Sequence, residues 1–259
     1  MIDYFHEDPA WINFRKTSSN IPYYARIFKC AQQDLLVKSL TMLKALIFDF
    51  DGLILDTETP EYLALNEVYS ELGHELGMST YGSIVGSDFN HEYNPVVHLE
   101  QLTGKPIDKD PFWERIRRRR LEIISSYDVL PGVETLILEG KKAGLKIALA
   151  SSSSHQWVSS HLKSRNLYQY FDVIKCKDDV QNVKPAPDLF LAAQAALGFE
   201  KDEVIIFEDS VHGVTAANKA GIRVVVIPNP VTATLNMKGE FLKLNSMADI
   251  TLSDLLYKL

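Results

Sequence analysis

Two carboxylates two residues apart, Asp49 and Asp51, close the apolar run Leu46-Ile47-Phe48 and are followed at once by Gly52. Like charges that near repel by roughly 4 kcal/mol at ~4 Å and an effective dielectric of ~20. The pair therefore calls for a bound cation or a proton on one carboxyl. Two further apolar runs end in polar residues, KIALA in Ser151 and EVIIF in Glu208-Asp209, and Lys184 lies in the loop Asn182-Val183-Lys184-Pro185. Asp49, Asp209 and, as a further candidate, Glu208 offer hard oxygens to Mg²⁺, which prefers carboxylates, water and phosphate oxygens. Such an ion would let a phosphate dianion approach an acidic site. Ser151 can donate to a phosphoryl oxygen, and Lys184 can serve as a point charge on the phosphate and on a nucleophilic carboxylate. A carboxylate so placed can attack phosphorus and form an aspartyl-phosphate. Asp51 can protonate the leaving oxygen and later deprotonate water, a role worth typically ~10²–10⁴-fold, with its backbone carbonyl rather than its carboxyl on the metal. Each residue alone is more often structural; their order along the chain makes the reading specific.

The elements that must position them form an alternation. Leu46–Phe48 reads as a strand buried on both faces, as in a parallel sheet, and a strand end in such a sheet opens on the crevice where ligands bind. Strands are expected at 146–150, 171–176, 203–207 and 223–227. Helices are expected from Pro131-Gly132 to about Lys142, from the serines after Ala150 to about Arg165, from Asp188 to Leu197 and from Val211 to Ala220. That pattern predicts an α/β fold, a doubly wound parallel sheet of Rossmann-like type with right-handed crossovers. Between the first and second strands the pattern is helical, with Leu63, Leu65, Val68, Tyr69 and Leu72 at helical spacing and another helix over 112–126. The chain is thus read as a core of residues 43–58 and 128–259, a helical insert of residues 59–127, and an N-terminal extension of residues 1–42 that carries no motif, with a helix expected over 25–40.

The motifs resemble those of the haloacid dehalogenase superfamily, in its β-phosphoglucomutase-like phosphatase branch. Phe48 to Thr57 (FDFDGLILDT) matches the first motif, Leu149 to Ser153 the second, Lys184 to Asp188 (KPAPD) the third, and Phe207-Glu208-Asp209-Ser210 with Gly213 the fourth. The resemblance implies Asp49 as nucleophile and Asp51 as general acid/base. It implies Ser151, Ser152 and Lys184 as phosphate ligands, and Asp49, Asp51, Glu208 and Asp209 at a Mg²⁺ site. It makes the insert a mobile cap that closes over a small phosphorylated substrate. The expected activity is Mg²⁺-dependent hydrolysis of a phosphoric monoester, a sugar phosphate or nucleotide-like monophosphate. Two alternatives stand beside it, a phosphomutase and a catalytically idle binding protein. The mutase pattern is weakened where Glu61 replaces the histidine that follows the first motif in β-phosphoglucomutase.

Other residues receive milder readings. His155 and His91 are candidates for substrate contact, Trp157 is expected to pack its helix, and the run Arg117 to Arg120 is expected to be a solvated face unless one arginine leans toward a substrate anion. The chain has 259 residues, 46% apolar and 24% charged, with net charge −7. That argues against a general nucleic-acid surface. Two cysteines, Cys30 and Cys176, give no disulfide framework, and no apolar stretch reaches the ~18 residues of a membrane span. A cytoplasmic monomer without nucleic-acid or membrane partners is expected.

Overall fold

The computed structural model describes residues 43–83, 85 and 94–259. The helix expected over 25–40 and the candidate His91 lie outside the described residues. Strand β1 (Ala45–Phe48) is followed by helices α1 (Glu58–Glu71), α2 (Met78–Gly82), α3 (Pro95–Thr103) and α4 (Lys109–Ile124). The alternation then runs α5 (Val133–Lys142), β2 (Lys146–Ala150), α6 (His155–Ser164), β3 (Val173–Lys175), α7 (Asp188–Leu197), β4 (Val204–Glu208), α8 (Val211–Ala220), β5 (Arg223–Val226), β6 (Leu242–Lys243) and α9 (Leu252–Lys258).

The strands form one sheet in the order β3-β2-β1-β4-β5-β6, every neighbouring pair parallel. β1 lies between β2 and β4, with Phe48 in register with both Leu149 and Phe207. The chain proceeds from β1 outward to β3 and returns to the other side of β1 for β4. That reversal opens a crevice at the carboxyl ends of β1 and β4.

All of β1 is buried, and its side chains alternate between two cores as the strand period of two requires. Leu46 and Phe48 face a core that includes Leu136 and Ile137 of α5, Val158 and Leu162 of α6, and Leu255 and Leu256 of α9. Ala45 and Ile47 face Leu189, Phe190 and Ala193 of α7 and Val214 and Ala217 of α8. Each large apolar side chain so buried contributes about 1.5–3 kcal/mol. Phe48 and Phe207 stack at 4.9 Å on adjacent strands. This two-sided burial fixes the strand ends that carry the site.

Helices α1 to α4 close a third core around Leu65, Tyr69, Leu99, Phe112 and Ile116, with Val231 from beyond β5. Helices α1 and α4 are also joined by the ion pairs Glu71–Arg115, Glu67–Arg119 and Glu61–Arg120, in antiparallel order. The first two are solvent-exposed, where water and salt screen such pairs.

Candidate active site

The first strand ends at Phe48, one residue before the carboxylates, and the chain then turns back on itself. The Phe50 carbonyl accepts from the N–H groups of Leu53, Ile54 and Leu55, and Gly52 N–H donates to Leu55 O. Gly52 has φ +77°, a left-handed conformation open to glycine. A Cβ there would collide with the side chains of Asp209 and Asn229, so the turn brings backbone against the fourth-motif carboxylate. The turn also sends the two first-motif carboxylates to different partners, where an extended strand would have aligned them.

Asp49 pairs with the ammonium of Lys184, which also donates to Glu208 Oε1 at 2.7 Å and lies 4.7 Å from the centre of the Phe190 ring. Lys184 is buried, with 2% of its side-chain surface exposed. Burial alone would lower its pKa, but the Asp49 and Glu208 carboxylates outweigh that and hold it charged, well above the ordinary lysine value. Glu208 is fully buried. Its second oxygen accepts from the N–H groups of Asp209 and Ser210 and from Ser210 Oγ. Glu208 therefore orients Lys184 and the turn after β4. Gly213 packs against it so closely that a Cβ would collide with the carboxylate. Asp49, by contrast, leaves 9% of its side-chain surface open.

Asp209 accepts from Asn229 Nδ2 at 2.7 Å through Oδ2, while its Oδ1 is buried without a hydrogen-bond partner. Asp49, Glu208 and Asp209 each offer an oxygen within 4.8 Å of the others. Burial pushes Asp49 up to about 8 despite Lys184, with Glu208 and Asp51 adding to the rise. Burial, with Glu208 and Asp49, pushes Asp209 well up. An orphaned carboxylate oxygen, hard oxygen donors and crowded negative charge fit a divalent cation such as Mg²⁺.

Asp51 stands apart from that cluster. Its Oδ1 accepts from Thr57 Oγ1 at 2.9 Å and Trp157 Nε1 at 2.8 Å, and its Oδ2 from Ser151 Oγ at 3.2 Å and Ser153 Oγ at 2.7 Å. Thr57 occupies the N-cap position of α1 without capping it, and Asp56 Oδ1 accepts from Thr59 N–H at 2.9 Å instead. Ser152 lies half-buried on the same turn as Ser151.

The structure thus gathers Asp49, Lys184, Glu208 and Asp209 at the ends of β1 and β4 and gives Asp51 a separate cradle. The like-charge problem of the first motif is met in part by Lys184 and by four donors on Asp51. Trp157 packs against the core as expected, and its indole also donates to Asp51. The arginine run is divided: Arg117, Arg118 and Arg119 are exposed, while Arg120 turns inward, pairs with buried Glu61 and lies 4.4 Å from the Trp157 ring centre. Arg120 follows Phe112 and Ile116 at a spacing of four, a stripe visible in the sequence. His155 Nε2 lies 2.7 Å from Asp179 Oδ2. Sequence reasoning misses Asn229, Ser153 and Trp157 as site residues; Ser153 sits inside the second motif, whereas Asn229 carries only the turn signal of Asn-Pro.

A family model described as Haloacid dehalogenase-like hydrolase matches residues 46–227. The chain belongs to that family. It is therefore an enzyme of the hydrolase class, on the fold and in the branch its motifs resemble. "Putative phosphatase YhcW" of Bacillus subtilis (strain 168) is 45% identical over 83% of this chain and 97% of its own length. "Phosphorylated carbohydrates phosphatase" of Thermotoga maritima is 32% identical over 70% of this chain and 82% of its own. Among solved structures, a mutant of CbbY from Rhodobacter sphaeroides in complex with xylulose-(1,5)bisphosphate superposes with a TM-score of 0.68. It is 25% identical, and the match covers 83% of this chain and 99% of that one.

Proposed function

We propose that the protein is a Mg²⁺-dependent phosphatase that hydrolyses a small phosphorylated metabolite, a sugar phosphate or nucleotide-like monophosphate, through an aspartyl-phosphate on Asp49. The observation that carries the reading is the division of carboxylates: one buried cluster around Lys184 with an orphaned oxygen on Asp209, and one separately cradled carboxylate, Asp51. Relatives named as phosphatases support a phosphoric monoester hydrolase.

The roles follow from access and bonding. Asp49 is the carboxylate of the cluster that keeps open surface, while Glu208 is sealed from solvent with its Oε2 taken by three donors. Asp49 attacks phosphorus, and the bond from phosphorus to the ester oxygen breaks. The leaving oxygen takes a proton from Asp51. Asp51 then removes a proton from water, whose oxygen attacks the phosphoryl group and frees phosphate and Asp49. Lys184 orients Asp49 and favours its ionised form against the effect of burial. Ser151 and Ser152 stand on the turn that would meet the phosphoryl oxygens. Asp49, Glu208 and Asp209, with the Asp51 backbone carbonyl, would hold Mg²⁺, which when bound neutralises the cluster and polarises the phosphoryl group. Residues 59–127 serve as a cap over the core of residues 43–58 and 128–259, which admits substrate and excludes water.

Phosphate release from a panel of sugar phosphates, nucleotides and an aryl phosphate, with Mg²⁺ and with chelator, tests the proposal. Release that requires the metal is expected. Isomerised product with a bisphosphate activator would instead identify a mutase, and binding without turnover an idle member.

A further inference from the structure

Among the described residues, Trp157 supplies the one donor on Asp51 that is neither a hydroxyl nor part of the first two motifs. Ser154 at the N-cap of α6 accepts from Trp157 N–H at 3.3 Å, so the helix starts where its first turn delivers the indole to the site. The ring is held from several directions. Arg120 of α4 stacks over it at 4.4 Å, and His161 of α6 meets it edge-to-face at 4.2 Å. Buried Glu61 of α1 in turn pairs with Arg120. His161 accepts on Nδ1 from Arg165 at 3.3 Å, and its Nε2 is buried without a hydrogen-bond partner. An N–H directed at an aromatic face offers such a nitrogen a weak partner.

The chemistry of the four donors is unequal. Thr57, Ser151 and Ser153 hydroxyls can donate or accept, so they tolerate Asp51 either charged or protonated. An indole N–H only donates. While Trp157 is in place, Oδ1 is held as an acceptor and the exchangeable proton belongs on Oδ2.

We propose that Trp157 is a positioning residue for the proton-transferring carboxylate: its indole N–H orients Asp51, and the Arg120–Glu61 pair of the helical segment holds the indole in that pose. The inference rests on the acid/base role given to Asp51 above. It links the helices after β1 to the proton transfer by a contiguous path, Glu61 to Arg120 to Trp157 to Asp51. A shift of α4 that withdrew Arg120 would loosen the indole and with it the aim of Asp51.

Two measurements test it, one without turnover. The indole N–H resonance of Trp157, assigned with Trp157→Phe, is expected to move upfield in Asp51→Asn, where a charged acceptor is lost. A resonance that stays in place overturns the inference whatever the activity. In turnover, Trp157→Phe keeps an aromatic ring under Arg120 and removes the donor. Its kcat/KM for a sugar phosphate, whose leaving alkoxide needs the proton, is expected to fall about 10–100-fold, within the range of general acid catalysis. For a nitrophenyl phosphate, whose leaving group needs little help, the fall is expected to be several-fold smaller. The double variant Glu61→Gln/Arg120→Met, which removes both charges together, is expected to show the same bias to a lesser degree. Equal losses on both substrates in both variants would mark Trp157 as merely structural and overturn the proposal. A wild-type enzyme inactive on both compounds contradicts the phosphatase reading instead, and the resonance still decides whether Trp157 orients Asp51.

Discussion

At the residue scale the site is a problem of crowded negative charge solved by placement. Lys184 joins Asp49 and Glu208, hydroxyls and an indole cradle Asp51, and Asp209 keeps one oxygen unpaired. Glycines hold the backbone close enough for this. Gly213→Ala would drive a methyl group into the Glu208 carboxylate, an overpacking that costs about 1–3 kcal/mol. Thermal melts should show a loss of roughly 3–10 °C, together with loss of activity as Lys184 is displaced; an unchanged melt would refute that account. Which residues would gather was legible in the motifs, because strand ends and a loop at fixed order carry them. How they pair was not. Trp157 lies 106 positions from Asp51, and its contact depends on the rotation of α6 and the pose of one ring, which no local spacing encodes. Arg120 had a signal, the four-residue stripe with Phe112 and Ile116, obscured by the three exposed arginines before it.

At the element scale the sheet order explains why β1, β2 and β4 deliver the site: they are neighbours, with β1 in the middle. The strands and helices around them were legible because apolar runs and glycine stops are strong signals, and α7 and α8 span the expected residues. β6 has only two residues, too short to show a pattern. Helix α9 is seven residues long and announced mainly by the capping box of Thr251 and Asp254. The edge of the sheet has its own electrostatic clasp. Asp172, just before β3, accepts from Lys141 at 2.8 Å, Lys146 at 2.9 Å and the Ile147 N–H at 2.9 Å. Burial pushes its pKa upward, but these hydrogen bonds outweigh it and bring it down to about 2. A depressed carboxyl stabilises the fold above its unfolded value near 3.8, and that stability is lost as pH falls from about 4 through about 2. After discounting for solvent screening the clasp contributes about 1 kcal/mol. Asp172→Asn should lower the melting temperature by roughly 2–4 °C at pH 7 and leave it nearly unchanged at pH 2; an equal loss at both would refute the clasp.

At the scale of the whole molecule, helices α1 to α4 form their own apolar core, joined to the sheet side through Val231 and the Arg120–Trp157 contact. Among the described residues no helix is long and apolar enough to cross a membrane. With a cation held as proposed, the buried acidic cluster would make stability depend on that cation. Asp49 is raised to about 8 and Asp209 is raised well above its ordinary value, both chiefly by burial. Raised carboxyls favour the fold below their unfolded values near 4, and the metal-free protein loses that contribution as pH climbs toward 8. Mg²⁺, by binding the ionised cluster, should raise the melting temperature more at pH 8 than at pH 5. Differential scanning at both values checks this; a shift of equal size, or none, would remove the cation from the cluster.

The most direct test of Asp49 as nucleophile is transfer of the labelled phosphoryl group of a turned-over substrate to the protein under rapid acid quench. With Mg²⁺ present, the wild-type protein should carry acid-stable, alkali-labile label on Asp49. Asp49→Asn should carry none, with phosphate release reduced by about 10³-fold or more. Release that proceeds without labelled protein and survives Asp49→Asn would contradict the account.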